Sequence, residues 1–136
     1  PVLGGSALLN SFNPWQLLPA SAMGLLSVSV LNVNNLRDLQ EDKKNGKRTI
    51  PVILGMDKAK SYHALLVGTP FLLVALYFAH LEKQSLLYMM VYSSAVLLFP
   101  AARKVILSSD PEKMEKQLKF HALGTAAFGI ILALVL

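Results

Sequence analysis

Long uncharged apolar runs alternate along this chain with short, densely charged blocks. Residues 1–36 contain no Asp, Glu, Lys or Arg, and most charged residues fall within 37–60 and 103–119. A helix needs about 20 apolar residues to cross a hydrocarbon core, so the pattern predicts an all-α, multi-span transmembrane bundle. The first span runs from Trp15 to Leu36, with Asn13-Pro14 as its start and Trp15 at the membrane interface. Pro19 lies near enough to that start to bend the helix rather than end it. A second span is expected from about Tyr62 to Leu81 and a third from about Ser85 to Leu107. The connection between them, Glu82-Lys83-Gln84, is short enough to make them antiparallel. Pro100 should bend the third span near its exit, and Leu118 to Leu136 forms the fourth.

The charged blocks carry the stop and start signals. Asn45-Gly46 ends the helical run that leaves the first span, Gly supplying a positive φ. Lys47 to Pro51 follows as a loop, extended where it approaches the proline. Arg103 to Lys119 reads as a second charged loop, in which Ser109-Asp110-Pro111-Glu112 has the form of an N-cap followed by proline. Residues 1–10 are apolar but too few to span, and read as the tail of a helix that begins upstream. Residues 1–136 are therefore expected to be one transmembrane domain within a longer protein, with the loop 37–61 carrying its chemistry.

Composition agrees: 54% of residues are hydrophobic, 15% are charged, and the mean hydropathy is +0.49. The net charge of +5 does not point to nucleic acid, because the basic residues are interleaved with acids and confined to the helix connections. Of the 13 Lys and Arg, all but Lys83 lie in the two long blocks. By the positive-inside rule both blocks face the cytoplasm and the 82–84 turn faces outward. There is no cysteine, which excludes disulfides and thiolate metal sites. The N-terminal stretch lacks the basic region of a signal peptide.

The candidate chemistry is concentrated in VLNVNNLRDLQEDKKNGKRTIPVILG, residues 30–55. A helix continuing through Asp42 would set Asn34, Asp38 and Asp42 at i, i+4 and i+8 on one face, with Asn35 flanking it. Two carboxylates one turn apart, with amide oxygens beside them, are hard ligands suited to Mg²⁺ rather than Zn²⁺ or Ca²⁺. The following Lys43, Lys44, Lys47 and Arg48 suit a polyanionic, metal-bound substrate. Taken alone, D-x-x-x-D also fits a solvated helix end on which Arg37 and Glu41 form an i,i+4 pair. Asn32, Asn34 and Asn35 crowd the same end of the span, as expected of amides that mark the membrane interface or of a helix that lines a polar cavity, and three in four residues favours the cavity. His63 reads as an interfacial or packing residue. His63, His80 and His121 are far apart in sequence and at different expected depths, which argues against a three-histidine metal site.

Read as N-x-x-x-D-x-x-x-D followed by G-K-R-T, the stretch resembles the second aspartate-rich motif of the UbiA-type intramembrane prenyltransferases. Its wording, NNLRD with GKRT, is most similar to the branch of that superfamily whose acceptor is 1,4-dihydroxy-2-naphthoate. The resemblance implies a helical bundle of about nine spans, of which about four lie here. It implies an Mg²⁺-dependent transfer of a polyprenyl group from polyprenyl pyrophosphate to 1,4-dihydroxy-2-naphthoate, with decarboxylation, giving demethylmenaquinone. By the same resemblance Asp38 and Asp42 are the catalytic metal ligands, and Asn34, Asn35, Lys47, Arg48 and Thr49 contact the pyrophosphate. The surroundings would be membrane lipid and the location the bacterial cytoplasmic (inner) membrane, with the site facing the cytoplasm. The family's first aspartate-rich motif has no match, so these residues alone are expected to be inactive. Alternatives are another acceptor, 4-hydroxybenzoate or haem, or an ion-coupled transporter fragment whose acidic residues lie near the bilayer midplane.

Overall fold

The computed structural model describes residues 13–81 and 86–136 and is all-helical, with no strand among the described residues. A 3₁₀ turn, Pro14–Gln16, leads into α1, Leu17–Arg37. Two short helices, α2 (Leu39–Lys44) and α3 (Ile50–Leu54), carry the chain to α4, Met56–His80. The third span consists of α5 (Leu86–Met89), a 3₁₀ stretch at Met90–Ser94, and α6 (Ala95–Leu107). The last helix is α7, Pro111–Val135. Four segments are long and apolar enough to cross a membrane: Pro14–Arg37, Met56–His80, Met90–Leu107 and Pro111–Val135.

The caps follow the local signals. Asn13 accepts a hydrogen bond from the Trp15 N–H through its side chain, and Asp110 does the same for Glu112, with proline next in both cases. Gly46 takes φ +68°, closing the turn after α2.

Several boundaries differ from the sequence expectation. The second span begins at Met56, six residues before Tyr62. The segment after Thr49 is helical rather than extended, with Pro51 inside the first turn of α3, where its missing N–H has no intrahelical partner to lose. The block 103–119 is not a loop, since only Ser108–Asp110 interrupts the helices there. In the first and last of these cases charged residues ride on helix ends, because a helix can run past the apolar core with its polar side chains in water. Pro19 falls within the first turn of α1 and Pro100 within α6, and neither ends its helix. The irregular backbone of the third span lies upstream of Pro100, in the 3₁₀ stretch. The expected 82–84 turn and the helix tail at 1–10 lie outside the described residues.

Packing places α1 against α4 and α7, and α6 against α4 and α7, so the four long helices form a ring with α4 and α7 on one diagonal. The antiparallel α1–α4 pair is marked at one end by Trp15 stacked on His80, centroids 3.9 Å apart at 14°. At that end an apolar core gathers Ala22, Leu26, Val74, Leu98 and Phe128 around Phe71. Phe71 meets Phe128 edge-on across the diagonal at 5.5 Å. At the charged end a smaller cluster joins Val33, Leu36, Ala59, Val105 and Met114. Lys60 Nζ donates to Ser109 Oγ there at 2.9 Å, so the two charged blocks share one end of the bundle.

Candidate active site

The site is built where α1 leaves the bundle. The helix does not run unbroken through Asp42. Asp38, at φ −90° and ψ 6°, separates α1 from α2. The i→i+4 ladder nevertheless bridges the break: the Asp38 N–H donates to the Asn34 carbonyl at 3.1 Å, and the Asp42 N–H to the Asp38 carbonyl at 2.8 Å. Asn34, Asp38 and Asp42 are thus linked through consecutive backbone hydrogen bonds.

Each carboxylate has its own cation. Arg37 grips Asp38 with two bonds, Nε to Oδ1 at 2.7 Å and Nη2 to Oδ2 at 2.8 Å. This replaces the Arg37–Glu41 pair that helical spacing offered. The hydrogen bond from Arg37 holds the Asp38 carboxyl below its ordinary pKa. Asp42 is almost fully buried, and its Oδ1 accepts from Lys47 Nζ at 2.7 Å. That hydrogen bond raises the Lys47 ammonium above the usual lysine value. The Lys47 N–H also donates to the Asp42 carbonyl, at 2.9 Å, so main chain and side chain both fold the basic loop back onto α2.

Among the other expected site residues, Asn34 and Asn35 are half-buried beside this turn, while Lys47 and Arg48 are exposed. Thr49 N-caps α3 without a side-chain cap bond, and its hydroxyl is buried with no partner among the described residues. Asn32, expected to face a polar cavity, is buried and donates to the Ala59 carbonyl at 3.4 Å. Among the described residues no three His, Asp or Glu side chains form a metal cage. The donor set still fits Mg²⁺, which is held through one or two carboxylates with water and substrate phosphate completing its shell.

Sequence reasoning missed two features. Arg37 was weighed only as a partner of Glu41. His63 and His121, expected at different depths, meet inside the bundle with Nε2 atoms 3.0 Å apart. The signal for His121 was its membership of a polar stripe, Gln117, His121 and Thr125, at helical spacing. His80 stands apart, stacked on Trp15.

Fold and site together define an integral membrane helical protein with paired carboxylates and a basic loop at one end of the bundle. The chain belongs to the UbiA prenyltransferase family, whose family model matches residues 1–133. Over 121 residues it is 38% identical to the 1,4-dihydroxy-2-naphthoate octaprenyltransferase of Escherichia coli (strain K12), covering 89% of this chain and 39% of that protein. Over 68 residues it is 44% identical to the 1,4-dihydroxy-2-naphthoate octaprenyltransferase of Haemophilus influenzae (strain ATCC 51907 / DSM 11121 / KW20 / Rd), covering 48% of this chain and 22% of the relative. The chain therefore spans well under half the length of these relatives. No solved structure matches it.

Proposed function

We propose that the protein transfers a polyprenyl group from polyprenyl pyrophosphate to 1,4-dihydroxy-2-naphthoate with loss of the ring carboxylate, a step of menaquinone synthesis. The acceptor is supported by the 38% identity to the Escherichia coli octaprenyltransferase. The observation that carries the chemistry is the Asp42–Lys47 pair, which folds a cationic loop onto the acidic turn. A pyrophosphate needs both partners: carboxylates to reach it through a metal, and ammonium and guanidinium groups to reach it directly.

Asp38 and Asp42 would hold Mg²⁺. When bound, the ion neutralises charge on the leaving pyrophosphate. Lys47 and Arg48 supply charge-assisted donors to the same phosphates, and Asn34, Asn35 and Thr49 supply neutral ones. As phosphate engages Lys47, Asp42 is released from its internal partner. The apolar helix walls exclude water while the allylic C–O bond breaks and the electron-rich ring attacks the prenyl carbon. The site lies at the end rich in Lys and Arg, which supports a cytoplasmic orientation in the bacterial inner membrane. It also weighs against an ion-coupled module, whose carboxylates would lie at midplane rather than be compensated at a helix end.

The test is the double variant Lys47→Gln with Arg48→Gln. Each lost charge-assisted contact costs about 1.5–3 kcal/mol, so prenyl pyrophosphate affinity should fall by roughly two to four decades. Binding of the aromatic acid should change much less. Unaltered pyrophosphate affinity in correctly inserted protein would defeat the assignment.

A further inference from the structure

Between the two apolar clusters the bundle interior is polar. Ser29, Asn32, His63, Gln117, His121 and Thr125 are all buried, and they come from α1, α4 and α7. On α7, Gln117, His121 and Thr125 recur at i, i+4 and i+8 and share the inward face. Asn32 on α1 bonds the carbonyl of Ala59, one turn before His63 on α4. Across the diagonal, His63 and His121, both 0% exposed, meet Nε2 to Nε2 at 3.0 Å.

The proton positions follow from the partners. His121 Nδ1 lies 3.1 Å from the Gln117 carbonyl oxygen. A carbonyl only accepts, so Nδ1 carries the hydrogen, and in a neutral ring His121 Nε2 is then an acceptor. His63 Nε2 must donate to it, which leaves His63 Nδ1 as a lone-pair acceptor. That atom is buried and has no hydrogen-bond partner among the described residues. Asn32 Oδ1, Gln117 Oε1 and Thr125 Oγ1 are in the same condition. Buried polar atoms are paired in the great majority of cases, so the unpartnered lone pair of His63 Nδ1 points to a ligand that donates a hydrogen bond.

We propose that this layer binds an O–H donor, with His63 Nδ1 as the acceptor that orients it. Two sources share that chemistry: a structural water, or a phenolic hydroxyl of the aromatic acceptor. A metal cation fits less well, since one imidazole lone pair is already committed and no carboxylate is among the hydrogen-bond partners of the pair.

The experiment is ¹⁵N NMR of the histidine-labelled protein in lipid nanodiscs, with His63→Phe and His121→Phe for assignment and the exposed His80 as internal control. His121 should be the Nδ1–H tautomer and His63 the Nε2–H tautomer, with the His63 Nδ1 resonance at the position of a hydrogen-bonded acceptor. Magnetisation transfer from water to His63, unchanged by added 1,4-dihydroxy-2-naphthoate, assigns the ligand as water. A saturable shift confined to His63 on adding that acid assigns it as the substrate hydroxyl. This second arm rests on the acceptor proposed above and is read in the complete enzyme: turnover of the acid without a shift at His63 keeps that function and leaves water as the ligand. His63 protonated on Nδ1 would overturn the proposal. So would a resonance showing no hydrogen bond to Nδ1, with or without the acid, or displacement of the signal by added divalent metal alone. His121→Phe should release His63 into both tautomers, and persistence of the single Nε2–H form would also count against it. Should that variant not fold, the wild-type tautomers decide.

Discussion

Asp42 and Lys47 illustrate how asymmetric an ion pair can be. The Asp42 side chain is 5% exposed and that of Lys47 62%. A buried carboxylate needs its countercharge, whereas the exposed ammonium can leave for another anion at little cost in solvation. In the complete enzyme Asp42→Asn and Asp38→Asn should each lower prenyl transfer by orders of magnitude while the protein stays folded and inserted, since neither change removes packing volume. Turnover at limiting Mg²⁺ checks this, and near-normal activity of the double variant would rule out the metal-binding role. The Arg37–Asp38 pair predicts a pH effect of definite sign. The folded-state pKa of Asp38 is lowered by the Arg37 hydrogen bond, so its stabilisation is present above the ordinary carboxyl value and is lost as pH falls through the depressed one. Acid melts should therefore show less loss on acidification for Arg37→Gln than for the parent. Lys47 runs the other way, its contribution being lost only as pH rises through its raised value.

At the level of elements, two helical glycines make opposite predictions. A Cβ on Gly124 would lie 2.7 Å from Leu98 Cγ on the neighbouring α6, whereas one on Gly24 would meet nothing within 4 Å. Gly124→Ala should cost about 1–3 kcal/mol through overpacking, and Gly24→Ala should stabilise by roughly 0.5–1 kcal/mol through helix propensity. Unfolding in a mild detergent reads both, and equal shifts would refute the packing argument. Helix starts were legible in the sequence because a cap is local: Asn13, Asp110 and Gly46 act on neighbours within a few residues. Span limits were less so. Reading Lys58 and Lys60 as loop residues misplaced the start of α4, and reading Lys113 so began the last span at Leu118 although the Asp110 cap marks the helix start at Pro111, because charge marks contact with water and not the loss of helical backbone. The backbone ladder from Asn34 to Asp42 was legible for the same local reason, although the break at Asp38 was not. Nor were the motif's cations, since the choice of Asp38 over Glu41 for Arg37 depends on a one-residue break in the helix. The His63–His121 contact required the order of helices around the ring, which no spacing in the chain encodes.

For the molecule as a whole, the question is which side of the membrane the site faces. The Lys60–Ser109 bond ties the block after α1 to the one before α7, so whatever orientation holds for one holds for both. Twelve of the thirteen basic residues belong to these blocks, and an inverted bundle would carry nearly all of them across the membrane, against the bias that sets topology. Cysteines at Lys44→Cys and Lys113→Cys in the native membrane should therefore both be protected from an impermeant thiol reagent in intact cells, while Lys83→Cys is labelled. The chain has no native cysteine, so each signal is unambiguous. Labelling of Lys44→Cys and Lys113→Cys together from outside would invert the orientation and remove the argument for a cytoplasmic pyrophosphate site. Labelling of only one would break the shared end itself, and with it the packing of α1, α4, α6 and α7 into a single ring.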